Sequence, residues 1–350
     1  VYERKGGEEM KPTIYSVAEE AGVSISTVSK VINQTGHISE RTRQKVIEVM
    51  AQLNYHPSVV ASALTGKPTK TIGLLVPDIS NPFFADLARS IEDRSHERGF
   101  HVVMCNTDND AEKEKKYLSL LIRQRIDGLI VASAFRNANL LKNMLKQDIP
   151  ISVIASEIPH ISVNTVTVDD YKGSYLATDY LLSLHHKKIA IITENAKSNH
   201  ARLDAFREVM QENGIIVPPQ HVITTEASIQ KGYESAKQIF SMKEKVTAIF
   251  ACNDLLAIGV MQAAKELKID VPQDLSVIGF DNTVLSTTIT PMLTTVAQPT
   301  KEMAVNVVDL LVREMKYPAM HKEHLLLEPK LIVRKSTAPL RREATASTNN

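Results

Sequence analysis

Cysteine is scarce in this chain, net charge is close to zero, and long apolar runs and catalytic signatures are missing. Of 350 residues only Cys105 and Cys252 are cysteines, each at the end of an apolar, strand-like run where a thiol behaves as a small buried hydrophobe; both are read as reduced core residues. The formal charge is +1, so no overall basicity announces nucleic acid, and any DNA contact must come from a local patch held in a defined geometry. No apolar run nears the roughly 20 residues of a membrane span, and no basic start leads into an apolar stretch. A cytoplasmic protein with no membrane partner is therefore expected. Dinucleotide, phosphate-loop, nucleophile-elbow and zinc-protease motifs are absent (Thr65-Gly66-Lys67 has no leading glycine), so the chain does not read as an enzyme. His185-His186, His321 and His324 lack a third ligand at workable spacing; they read as surface histidines, with neither metal nor cofactor implied.

What is present is enough apolar residue, 43% of the chain, for more than one core, because single cores stop growing near roughly 250 to 300 residues. Residues 1–9 are charged and aperiodic, and Lys5-Gly6-Gly7-Glu8-Glu9 would be written in purine-rich codons, as a translated ribosome-binding sequence is; natural initiation is expected at Met10. Within 10–56, apolar positions recur at helical spacing in three blocks: Ile14/Val17/Ala18/Ala21, Val28/Val31/Ile32 and Val46/Ile47/Val49/Met50/Leu53. Three small helices on one core are predicted, the third capped by Ser39 and the second by Ser24 or Thr27. A connector with Pro57 and an apolar run at 61–64 fills 57–69.

From residue 70 to 337 the texture changes to apolar strands alternating with amphipathic helices, the signature of parallel sheets covered by helices. Strands are expected at 71–76, 101–105, 128–132, 151–155, 165–168, 188–193, 221–224, 248–251 and 276–280, with helices at 82–98, 110–124 and 202–213. Two sheets rather than one fit the length. The polar stretch 338–350 reads as a disordered tail.

The first module carries the sharpest signal. A helix-turn-helix needs a small residue where its helices approach, a glycine able to take the left-handed turn, and apolar residues behind both helices. Ala18, Gly22 and the pair Val28/Val31 meet these demands in order. The exposed face of the second helix then offers Ile25, Ser26, Ser29 and Lys30 to base edges or phosphates, with Lys11, Arg41, Arg43 and Lys45 as flanking phosphate contacts. A helical hairpin with no DNA to read is the plain alternative.

Residues 13–33 (TIYSVAEEAGVSISTVSKVIN) closely resemble the headpiece of the lactose/galactose repressor (LacI/GalR) family, and the likeness continues through SERTR at 39–43, LNYHP at 53–57 and TIGLLVPDISNPFF at 71–84. It spans nearly everything from Met10 to about Thr337. The resemblance implies a sequence-specific DNA-binding transcriptional regulator, read as a repressor: a small all-α helix-turn-helix headpiece and an α/β, periplasmic-binding-protein-like body of two Rossmann-like lobes. By it, DNA-facing residues also include Thr13, Tyr15, Ser24, Thr27, Asn33 and His37; the connector becomes a hinge helix, and Leu64 a minor-groove wedge that kinks the duplex. Pro57-Ser58 replaces the family's usual Pro-Asn, which puts one backbone contact in doubt. The partners implied are palindromic operator DNA, a second copy in a homodimer with Leu87 and Ile91 as interface candidates, and a small-molecule effector.

By the same resemblance the lobes comprise about 70–168 with 298–327, and 169–297 with 328–337. Effector candidates are polar groups following strand ends: Asp78, Ser80, Asn253 with Asp254, Asp281, and Arg202 where it opens a helix. Phe83, Phe84 and Val168 would line the apolar side. The bland reading is that each polar group caps a helix or braces a loop. Ser156 stands where sugar-responsive members carry an acid, and Ala205 where a glycine is usual, so the effector class stays open among sugars, sugar phosphates and other metabolites, with a phosphocarrier-type protein as a further candidate partner. The rival to regulation is a small-molecule receptor or solute-binding protein without DNA.

Overall fold

The computed structural model describes residues 12–33, 35–56, 68–132, 135, 138–158 and 160–340. The proposed start at Met10, the hinge with Leu64, Lys11 and the end of the tail lie outside the described residues. Two compact units divide at Thr69 and Lys70.

The N-terminal unit is three helices, α1 (Ile14–Ala21), α2 (Ile25–Ile32) and α3 (Glu40–Gln52). Each begins at a hydroxyl cap. Thr13 and Ser16 bond reciprocally as a capping box on α1, Ser24 Oγ accepts from the Thr27 N–H (3.1 Å) on α2, and Ser39 Oγ accepts from the Thr42 N–H (3.2 Å) on α3. Between α1 and α2, Gly22 takes φ 63° and ψ 38°, and the Val23 N–H reaches back 3.0 Å to the Ala18 carbonyl, closing α1. Val17, Ala18, Ala21, Val28, Val31, Val46 and Val49 form the core. Seven small apolar groups make a marginal core for so short a module. Ile47, placed inward by its spacing, is instead 48% exposed: Val46 and Val49 already define the inward stripe of α3, and the next residue falls about 100° around the helix.

The body holds twelve described strands: β1 (Thr71–Val76), β2 (His101–Asn106), β3 (Gly128–Val131), β4 (Ile151–Ile154), β5 (Asn164–Val168), β6 (Ile189–Glu194), β7 (Val222–Thr225), β8 (Ala248–Ala251), β9 (Ser276–Asp281), β10 (Thr294–Ala297), β11 (His324–Leu327) and β12 (Lys330–Ile332). They form two six-stranded sheets, ordered β11-β5-β4-β3-β1-β2 and β12-β10-β9-β8-β6-β7. Pairing is parallel except between β10 and β12. The chain passes from one sheet to the other after β5, after β10 and after β11. β1, β3 and β4 read as near-continuous apolar runs because helices cover both faces. The threonine-rich β10 and the three-residue β12 carry no such run; β11 carries Leu325 to Leu327, yet none of the three is among the expected strands.

The described helices of the body are α4 (Pro82–Glu97), α5 (Ala111–Arg123), α6 (Ala138–Leu145), α7 (Asp170–Ser183), α8 (Lys197–Glu212), α9 (Ile229–Phe240), α10 (Asp254–Glu266), α11 (Leu285–Thr288) and α12 (Thr300–Lys316). Although α12 follows the second sheet's β10, its Met303, Val307 and Leu311 pack with Ile72, Leu87 and Ile91 in the first lobe's core. Leu87 and Ile91 are thus fully buried and are not interface residues: with Phe83 they recur at intervals of four, the stripe that faces the sheet. Nor does the chain loosen at residue 338. The Ala338 carbonyl accepts from His186 Nε2 (2.9 Å) and Ser276 Oγ (3.2 Å), and the Leu340 N–H donates to the Leu184 carbonyl (2.9 Å). His186 is accordingly a buried clasp rather than a surface histidine, its other ring nitrogen 2.9 Å from Thr247 Oγ1. Cys105 and Cys252 are free and buried. Among the described residues no helix is long and apolar enough to cross a membrane.

Candidate functional site

Two arrangements are built to meet a partner, one in each unit. In the first, Val28 and Val31 anchor α2 to the core, and the opposite side carries Ile25, Ser26 and Lys30 at the surface. Ser29 and Thr27 are half-buried. Asn33 Nδ2 donates to the Ser29 carbonyl (2.6 Å) and hydroxyl (3.2 Å), while the Ser24 hydroxyl lies 2.8 Å from Ser26 Oγ and 2.9 Å from Thr27 Oγ1. The helix thus presents a short polar edge whose rotamers are partly fixed before any partner arrives. Thr13 and His37 are exposed, and Tyr15 on α1 is 68% exposed. Arg41 and Lys45 stand exposed on α3, whereas Arg43 sits 3.6 Å from Glu40.

The second arrangement lies at the carboxyl ends of the second sheet, where the loops of parallel strands leave room for a ligand. Arg202 does not open its helix: α8 starts five residues earlier, at Lys197, with no side-chain cap to mark the start, so Arg202 sits in the second turn facing inward. Its guanidinium is 5% exposed, donates from Nε (2.8 Å) and Nη2 (2.7 Å) to Asp170 Oδ1, donates from Nη1 to the Cys252 carbonyl, and stacks on Phe280 with Cζ 3.6 Å from the ring centroid. Asn253 caps α10, accepting from the Leu256 N–H (2.8 Å) and donating to Glu194 Oε1. Asp281 ends β9 at φ 109°, a backbone conformation L residues rarely adopt, and its Oδ1 accepts from Gln298 Nε2 (2.7 Å). Asp254 is fully engaged as a brace: Oδ2 accepts from the Thr283 N–H (2.6 Å) and hydroxyl (2.9 Å), and Oδ1 from Thr295 Oγ1 (2.7 Å).

Burial sets the electrostatics. It pushes the carboxyls of Asp170 and Glu194 upward against the pull of Arg202, lifts Asp254 to about 6, and holds Asp281 well above the usual carboxylate range, with repulsion from Asp254 adding to the rise. Burial opposes the charge on Arg202, yet Asp170 and Asp281 keep the guanidinium above its ordinary value. Burial also raises the Cys252 thiol to about 12, so it is no nucleophile.

The remaining candidates belong to the first sheet. Asp78 Oδ1 accepts from the N–H (2.9 Å) and hydroxyl (2.7 Å) of Ser80, and the Ile79 N–H donates to Asn106 Oδ1 (2.7 Å). Asp78 therefore shapes its own loop. Phe83 is buried core, and half-buried Phe84 meets it edge-on at 5.0 Å between centroids. Val168, buried, ends β5 one residue before the first crossing. An ion pair between Glu157, after β4, and Lys197, in the first turn of α8, brings strand ends of the two sheets face to face. Asp170, Glu194 and Gln298 were missed, although each lies at or just after a strand end as the named candidates do; Glu194 is the last residue of β6.

Residues 13–58 match the bacterial regulatory proteins of the lacI family, and residues 178–337 match the periplasmic binding protein-like domain. The HTH-type transcriptional regulator DegA of Bacillus subtilis (strain 168) is 45% identical over 336 residues, 95% of this chain and 99% of that protein. A LacI family transcriptional regulator from Enterococcus faecium, solved with bound ribose, is 35% identical with TM-score 0.71, covering 77% of this chain and 100% of that one. The lac repressor dimer bound to operator and the anti-inducer ONPF is 29% identical with TM-score 0.83, covering 93% of this chain and 99% of that one.

Proposed function

Because the chain belongs to the lacI family of bacterial regulatory proteins, we propose that it represses transcription from palindromic operator DNA as a cytoplasmic homodimer, with a small-molecule effector between its lobes setting operator affinity. The observation that carries the reading is α2 itself, pinned from behind by Val28 and Val31 and presenting Ile25, Ser26 and Lys30 outward. Tyr15, Ser29, Asn33 and His37 border that face, and phosphates fall to Arg41 and Lys45. Leu64 serves as the wedge at the operator centre. One headpiece makes too few contacts for tight binding, and a two-fold site calls for a two-fold protein. Edge strand β2 supports a second copy: Met104 stands 47% exposed between half-buried Val103 and the buried Cys105.

In the body, Arg202, Asn253 and Asp281 form one wall of the effector site, and Asp78, Ser80 and Phe84 the other. The Enterococcus relative's bound ribose supports a ligand of sugar size. The work is done by binding, not turnover: an effector that prefers one setting of the lobes shifts the population of DNA-competent dimers by its differential affinity.

The test is gel retardation of a palindromic duplex recovered from genomic fragments that the protein binds. Retention should fall steeply with salt. Lys30→Ala should weaken it roughly tenfold, and Leu64→Ala should weaken specific retention while sparing effector affinity. Specific retention unchanged in both variants would contradict this reading.

A further inference from the structure

The strand-end site of the second lobe has more acceptors than donors. Asp170, Glu194 and Asp281 share one guanidinium, that of Arg202, while Asp254 feels the charge of Arg334. Asp170 is held by Arg202 itself, and Asp254 is saturated by Thr283 and Thr295. Glu194 and Asp281 are held differently. Each accepts a side-chain bond from a neutral carboxamide, Asn253 for Glu194 and Gln298 for Asp281, whereas two carboxylate oxygens together accept about four. Lys197 is engaged with Glu157, and Arg334 with Asn282 and the Leu293 carbonyl. Glu194 is half-buried at the end of β6, beside the cap of α10, so part of its charge is shielded from water and its acceptor capacity is not filled by the protein.

Resting on the effector reading above, we propose that Glu194 is a specificity-determining residue: with Asp281 it makes the site admit sugar-sized ligands whose hydroxyl or amino groups donate hydrogen bonds, and reject those bearing phosphate or carboxylate. A hydroxyl or ammonium satisfies these oxygens. A phosphate or carboxylate group adds further acceptors and further negative charge beside buried carboxyls that already repel one another.

The experiment measures binding of D-ribose, D-glucosamine, D-ribose 5-phosphate and D-gluconate to the full chain, by ligand-induced rise in melting temperature and by calorimetry. The same titrations are run on Glu194→Gln, whose amide oxygen can still accept from Asn253 and whose ligand-free melting temperature reports its fold. The expected result is that ribose or glucosamine binds at least roughly tenfold tighter than ribose 5-phosphate and gluconate, and that Glu194→Gln narrows this ratio severalfold. Equal or tighter binding of an anionic ligand to the unaltered chain, failure of all four to bind, or an unchanged ratio in a folded Glu194→Gln would overturn the proposal. Gel retardation on the same preparations separates the two readings. Intact operator binding with the wrong ligand preference rejects only the specificity claim, whereas lost operator binding in the unaltered chain rejects the regulator on which it rests.

Discussion

At the scale of single residues, polarity and position were readable, but engagement was not. Arg202, Asn253 and Asp281 follow strand ends in the chain, and that is where the fold gathers them. Nothing in the sequence says that Asp78 would turn back onto Ser80, or that Asp254 would be braced by a loop threonine 29 positions away and a β10 threonine 41 positions away. Asp254 gives a direct test. Burial lifts its carboxyl from 3.8 to about 6 against the lowering effect of its Thr295 and Thr283 bonds, so the native state keeps a proton that the unfolded chain releases. The resulting stability is fully present below about pH 4 and is lost as pH rises through about 6, worth about 3 kcal/mol. The melting temperature of Asp254→Asn, followed from pH 4 to 7, is expected to decline less than that of the unaltered chain; parallel curves would show that this carboxyl does not titrate in that window.

At the scale of elements, alternating apolar runs and capping hydroxyls announced most helices and strands, and the errors lie where a boundary has no chemical mark. Helix α8 begins at Lys197 behind an uncapped Ala196, and β10 and β12 are too polar or too short to show an apolar period. The closest helix contact left no periodic trace either. Where α9 crosses α10, a Cβ on Gly259 would lie 2.2 Å from the Ile229 carbonyl oxygen and one on Gly232 2.3 Å from that of Leu256, so the two backbones touch through paired glycines. Since backbone cannot step aside as a side chain can, Gly259→Ala should force the helices apart and destabilise the second lobe by about 3 kcal/mol or more, read as a lowered denaturation midpoint. A midpoint within error of the unaltered chain would mean that the crossing is looser than this.

At the scale of the whole body, two lobes joined by three chain crossings can change their relative setting by small torsional adjustments at the crossings. Away from those crossings the Glu157–Lys197 ion pair ties one lobe to the other, and with both side chains more than half exposed it contributes at most about 1 kcal/mol. A tie that weak suits a switch, since a ligand can outweigh it. Glu157→Lys would set two cations against each other there, and small-angle scattering of the ligand-free protein should show a larger radius of gyration, with the difference shrinking in high salt. An unchanged radius at low salt would mean that the pair plays no part in holding the lobes together.

The sequence alone determined that there is a helix-turn-helix ahead of a parallel α/β body, because caps, a left-handed glycine and apolar periods are local properties that each segment carries with it. The regulatory role was legible through the resemblance of residues 13–33 to the LacI/GalR headpiece, whose DNA-facing residues lie along one short helix. Only the tertiary structure decided that Leu87 and Ile91 lie in the core and that Glu194 joins Asp281 and Arg202 in one site. Those are contacts between segments up to some 240 positions apart, and they exist only once the chain has crossed between the sheets.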